Sequence, residues 1–156
     1  HGGGKMLTQA SMTGFTPQAV PHRFEAGTPN IAGVIGTSAA LAWLKTVDLT
    51  AAEKYAQNLA TLAEKQLAQI DGFRSYRCQN SSVLAFDIAG VHHSDLVALL
   101  AEQAIALRAG QHCAQPLMDA LGISGTLRAS FAPYNNEQDV TRLVSAVKYA
   151  LDLLAD

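Results

Sequence analysis

Between Thr126 and Ala132 the sequence alternates Leu127, Ala129 and Phe131 against Arg128 and Ser130. A two-residue period of this kind suits only a strand with one face in a core and the other turned away. Such a strand must pair with others and be covered by something apolar. The covering is readable on either side of it. Thr50, with Glu53 three residues on, reads as a capping box opening an alanine-rich helix that runs to about Ile70 and stops at Asp71-Gly72. At the other end, Asn135 or Asn136 caps a helix to about Leu154, with Val140, Leu143, Val144, Val147, Leu151 and Leu154 on one stripe.

Further strands are predicted at Phe73–Cys78 and Val83–Ile88, joined by the turn-prone Gln79-Asn80-Ser81-Ser82, and at Ile105–Ala109. Short helices are predicted over Asp95–Gln103, capped by Ser94, and over Ala114–Leu121, ended by Gly122. Upstream, Ile31 to Val47 carries a helical period, while residues 1–30 are broken by Gly, Pro, Ser and Thr with little period of either kind. The expected class is α+β, with a four-stranded, mostly antiparallel sheet covered by helices. The expected organisation is an extended segment over 1–30, two linking helices over 31–70 and a small α+β domain over 71–156. A thirty-residue stretch without structure is uncommon in a compact domain. Because the chain also opens at His1 without a methionine, a piece of a longer protein is expected, with residues 1–30 packing on a large domain outside it.

Composition excludes several classes. Of 156 residues, 49% are hydrophobic and 15% charged, enough apolar material for a real core and too little charge for disorder. With a net charge of −2 and no basic stripe, nucleic acid is a poor partner. No apolar run approaches the roughly 20 residues that span a bilayer, and no signal peptide opens the chain. Cys78 and Cys113 do not form a disulfide framework, so a reducing cytoplasm is expected. His92-His93 lack partners at metal-ligand spacing, so no metal site is expected and surface or capping roles are favoured. The Gly2-Gly-Gly-Lys5 run is no phosphate-binding Walker loop, since Met6 stands where Ser or Thr is needed.

Three stretches carry chemistry. In Arg108-Ala-Gly-Gln-His-Cys-Ala-Gln-Pro116, Cys113 sits where a strand ends and a helix begins. Free N–H groups at a helix start, with Arg108 and His112 nearby, are a setting that turns a thiol into a nucleophile; an inert, half-buried cysteine is the alternative. Arg128 points away from the apolar face of its strand, either to solvent or as a fork for a small-molecule carboxylate. In Phe24-Glu-Ala-Gly-Thr-Pro-Asn30, Thr28 and the backbone N–H groups after it suit a phosphate, while Thr28 or Asn30 as a plain helix cap is the other reading.

Taken in order, Arg23-Phe-Glu-Ala-Gly-Thr-Pro-Asn30, Arg108-Ala-Gly-Gln-His-Cys113-Ala and Leu127-Arg-Ala-Ser130 resemble the C-terminal part of a cysteine desulfurase. These enzymes and the selenocysteine lyases belong to the class V aminotransferase group, and the wording is closest to the cysteine sulfinate desulfinase type with a short cysteine loop. The resemblance covers essentially the whole chain and implies the small C-terminal domain of a fold-type I enzyme using pyridoxal 5'-phosphate. It implies Cys113 as the nucleophile that takes sulfur as a persulfide and Arg128 as the grip on the substrate carboxylate. Arg108 would line the same pocket, and Thr28 would reach across a homodimer to the cofactor phosphate. No role is implied for His112. The implied reaction converts L-cysteine to L-alanine, with selenocysteine or cysteine sulfinate as related substrates. A sulfur-acceptor protein would serve iron–sulfur cluster or thio-cofactor assembly.

The chain departs from the family in one respect. The lysine that ties the cofactor, the ring-stacking histidine and the aspartate on the pyridine nitrogen lie upstream in the family and have no counterpart here. Lys45, Lys54, Lys65 and Lys148 fall on predicted helices and Lys5 is too early. The chain alone is therefore expected to be inactive. Two other functions compete: a non-catalytic docking or dimerisation domain, and another lyase or transaminase of the same group in which Cys113 is incidental.

Overall fold

The computed structural model describes residues 2–155; His1, on which part of the expectation of a longer parent rests, and Asp156 lie outside them. The chain divides into two units, residues 1–47 and 48–156. The boundary falls between the two helices expected to link domains, because the second of them carries an apolar stripe that the sheet needs as cover.

The first unit holds more regular structure than its composition suggests. Strands β1 (Leu7–Ser11) and β2 (Gly14–Pro17) form an antiparallel hairpin, with Gln9 opposite Thr16 and Ser11 opposite Gly14. Nearly every residue of both strands is exposed, so there is no buried face to impose a period on the sequence. Helix α1 spans Ile31–Leu44 and is capped by Asn30, whose Oδ1 accepts from Gly33 N–H at 2.9 Å. It ends three residues short of the expected Val47, in tight turns that bond Thr46 N–H to Trp43 O and Val47 N–H to Leu44 O. None of its residues is buried, although it is apolar all round; Val34 is 66% exposed and Trp43 64%.

In the second unit α2 (Leu49–Leu67) starts one turn differently from the expected capping box. Asp48 is the N-cap, accepting from Ala51 N–H at 3.0 Å, so Thr50 lies inside the first turn and Glu53 accepts from Gln57 instead. A carboxylate is the stronger partner for free N–H groups at a helix start. The sheet follows the order β3-β4-β6-β5, with β3 at Phe73–Ser75, β4 at Val83–Ile88, β5 at Arg108–Gly110 and β6 at Thr126–Ser130, all antiparallel. The two edge strands are three residues each, shorter than the apolar runs that predict them. Helix α3 (His93–Glu102) precedes β5, α4 (Gln115–Leu121) separates β5 from β6, and α5 (Glu137–Ala155) closes the chain.

One sheet face is wholly committed to the core. Leu84, Phe86 and Ile88 of β4 and Leu127 and Ala129 of β6 pack against Leu59, Ala63 and Leu67 of α2, Leu96 and Leu100 of α3, and Val140, Leu143 and Val147 of α5. Phe86, Leu84, Leu67 and Leu127 are among the largest of the fully buried side chains, each contributing roughly 1.5–3 kcal/mol of burial. The α5 stripe shifts to Ala146 and Ala150 near its end, leaving Leu154 exposed. Arg77, almost wholly buried, bonds Glu64 at 2.9 Å, the carbonyl of Gln57 and the carbonyl of Ser81, which fixes the β3–β4 connection onto α2. The opposite face carries Arg74, Asp87, Ala85, Arg128 and Arg108, and there the candidate chemistry gathers.

Candidate active site

Strand β5 ends at Gly110, whose φ of +116° needs a residue without a Cβ. The next turn also runs left-handed, at His112 (φ +54°) and Cys113 (φ +59°). For residues with side chains this conformation costs about 1–2 kcal/mol each, so a contact must hold it. That contact is His112, whose Nε2 lies 3.1 Å from the carbonyl oxygen of Thr126 and 3.0 Å from its hydroxyl. Thr126, only 3% exposed, is the first residue of β6 and lies opposite Gly110 across the ladder. The loop is thus tied back to the sheet, and Cys113 stands exposed with a free thiol. Helix α4 follows one residue later than expected, with Ala114 as an N-cap that offers no side-chain bond and Pro116 in the first turn.

Arg128 sits two residues beyond Thr126 on the same face of β6, with Ala85 opposite on one side and Arg108 directly opposite on the other. Two arginines facing each other across a ladder repel. Among the described residues the ion pairs join His22 to Glu25, Arg74 to Asp87 and Arg77 to Glu64, and neither arginine of this pair takes part. The Nε of Arg128 is buried and has no hydrogen-bond partner. A buried donor left unpaired costs about 1–3 kcal/mol, more when charged. A planar carboxylate would relieve both the repulsion and the missing bond. Arg128 is partly buried.

The structure therefore sets Arg108 and Arg128 opposite each other on one sheet face, and the exposed Cys113 lies on the loop that leaves β5 beside them in the chain. Thr28 belongs to the first unit, where it is exposed and leaves the capping role to Asn30. Gly125 is a further residue of the edge: a Cβ there would lie 2.7 Å from His93 Cε1 and 2.8 Å from the backbone of Gly110, so only glycine lets α3, β5 and β6 close together. His92, not Ser94, caps α3, accepting from Ser94 N–H at 3.3 Å, because the helix begins at His93.

The sequence assigns no role to two of these groups, His112 as an anchor and His93. Both act through space on residues far along the chain, and residue type alone does not mark them. Burial and the neighbouring imidazoles of His92 and His112 hold His93 below its ordinary value of 6.5, with Asp95 opposing weakly. Between the lowered folded value and 6.5 the unfolded chain binds more protons, so stability falls as pH drops through that window. The thermal midpoint should therefore decline as pH drops below 6.5, and His93→Gln should flatten the decline. A variant with an unchanged pH slope would remove His93 as its source.

Comparison with known proteins gives the family. A family model described as aminotransferase class-V matches residues 1–143. The chain is 65% identical over 155 residues to the cysteine desulfurase CsdA of Escherichia coli (strain K12), covering 99% of this chain and 39% of that protein. The crystal structure of the cysteine desulfurase CsdA (S-sulfonic acid) from Escherichia coli superposes with a TM-score of 0.85 at 64% identity, over 98% of this chain and 38% of that one. The apo cysteine desulfurase of Thermococcus onnurineus NA1 gives 0.79 at 32% identity, over 96% and 38%. The chain thus spans about two fifths of the length of the relatives it matches. Among the described residues no helix is long and apolar enough to cross a membrane. With the family model running through the hairpin, α1, the sheet and the cysteine loop alike, the chain belongs to the class V aminotransferases.

Proposed function

We propose that the full-length protein carrying this sequence is a cysteine desulfurase using pyridoxal 5'-phosphate. It converts L-cysteine to L-alanine and keeps the released sulfur on Cys113 as a persulfide. The observation that carries this reading is the pairing of an exposed thiol on a pinned loop with an arginine whose buried Nε lacks a partner, on the strand to which that loop is tied.

Arg128, with Arg108 beside it, binds the substrate carboxylate and so fixes where the substrate's sulfur lies relative to Cys113. The Cys113 thiolate then attacks that sulfur. An S–S bond forms, the substrate's C–S bond breaks, and the bonding pair stays with the carbon, which takes up protons and leaves as alanine. The cofactor, when bound, supplies the electron sink that this bond cleavage needs. The residues present fit one part of it: the exposed Thr28 hydroxyl, two residues ahead of the α1 cap, suits a phosphate oxygen of the partner subunit's cofactor in a homodimer. Lys54, Lys65 and Lys148 lie on α2 and α5, which cover the opposite sheet face, so none can reach the Arg128 side. The ring's anchor is read as lying outside this sequence, in the part of the relatives' length that the chain does not span. Residues 1–30 and the apolar α1 are read as segments that pack on the remainder of the longer protein.

The persulfide passes to an acceptor protein for iron–sulfur cluster or thio-cofactor assembly. Two free cysteines support a reducing, cytoplasmic setting. The test is alanine formation from L-cysteine by the cofactor-loaded full-length protein, beside the 156-residue chain alone. Turnover by the first and none by the second is expected. Full-length protein that releases no alanine would overturn the reading, and turnover by the isolated chain would overturn the assignment of the anchor to residues outside it.

A further inference from the structure

We propose that His112 is a positioning residue for Cys113, holding the cysteine loop through one hydrogen bond from its Nε2–H to Thr126. This deepens the reading of Cys113 as the sulfur acceptor and rests on it.

The tautomer follows from the partners. A backbone carbonyl can only accept, and Nε2 lies 3.1 Å from the Thr126 carbonyl oxygen. A bare Nε2 lone pair there would face the oxygen's own lone pairs and repel it. Nε2 therefore carries the proton and donates to the carbonyl, with the Thr126 hydroxyl at 3.0 Å sharing it as a second acceptor. In the neutral ring Nδ1 is then the unprotonated nitrogen. It is buried and has no hydrogen-bond partner, the thiol of Cys113 included. The ring as placed does not take the thiol's proton. Its influence runs through the backbone.

That backbone needs holding. His112 and Cys113 are consecutive residues with side chains in the left-handed region, a conformation their own preferences oppose. The anchor they share is on β6, two residues from Arg128, so the same strand that would hold the substrate carboxylate also fixes the thiol. Releasing the ring frees the thiol to wander while leaving Arg128 in place.

The experiment uses the cofactor-loaded full-length protein with His112→Ala, His112→Asn and His112→Gln. Glutamine places an N–H donor at about the reach of a histidine Nε2, and asparagine falls short of it. The alanine and asparagine variants should lose about 10- to 100-fold in kcat, the scale of a misplaced reacting group, with the KM for L-cysteine within about twofold of the parent. The glutamine variant should recover most of the loss. Iodoacetamide labelling resolved by site, with exposed Cys78 as the internal reference, should show a changed Cys113 to Cys78 ratio in the first two variants and the parent ratio in the third. His112→Asn carries the test if His112→Ala folds poorly. Parent-like kcat in His112→Asn, or a glutamine variant as impaired as asparagine, overturns the proposal. A parent enzyme that forms no alanine would instead sink the desulfurase reading and leave the labelling result standing by itself.

Discussion

On the proposed function, Cys113→Ser in the full-length protein should lower alanine formation from L-cysteine by roughly a thousandfold or more, the scale on which removal of a nucleophile stops a covalent mechanism. A hydroxyl in the same place is a far poorer nucleophile toward sulfur and cannot store it as a persulfide. The stability of the fold should hardly move. The side chain is exposed, the change is one atom, and surface substitutions of this kind stay within about 0.5 kcal/mol. Cys78→Ser is the matched control, an equally free and exposed thiol on the β3–β4 connection, and it should keep full activity. Cyanide-releasable sulfur measured after incubation with L-cysteine checks both. Sulfur retained on the protein in Cys113→Ser would take the acceptor role away from Cys113.

Arg128→Ala is the second large effect, and its sign differs between activity and stability. Truncating one partner of a buried charged pair costs about 2–5 kcal/mol, so kcat/KM for L-cysteine should fall about thirtyfold or more. Arg128→Lys keeps the charge but not the planar fork, and its loss should be smaller, about tenfold, appearing mainly in KM. Folding stability should stay level or rise in Arg128→Ala, since the change removes the opposition to Arg108 and the unpaired Nε together. Steady-state kinetics beside a thermal melt separates the two. A variant with parent-like KM and kcat would leave Arg128 a structural arginine.

The elements readable in the sequence are those whose period is imposed by burial. The Leu84-Phe86-Ile88 and Leu127-Ala129 alternations and the stripes of α2 and α5 all point into one core, the α5 stripe departing from the pattern only at its end, where Ala150 is buried and Leu154 exposed. The β1–β2 hairpin left no trace because no face of it is buried. Strand β5 begins three residues later than its apolar run, and ends one later, for the opposite reason: Ile105 and Leu107 pack against the core before the ladder begins at Arg108. Of the proposed site, Cys113 and Arg128 offer themselves as candidates in the sequence because their residue types stand out from their surroundings. The opposition of Arg108 to Arg128 depends on strand register, and the His112–Thr126 tie joins residues fourteen apart that no local rule connects.

The brevity of the outer strands bears on how this protein behaves at high concentration. A sheet rim with open N–H and C=O groups invites a second molecule to add on, and long flat rims seed aggregates. Here each rim is three residues long and carries a charged side chain, Arg74 on one side and Arg108 on the other, so there is little for a neighbour to zip onto.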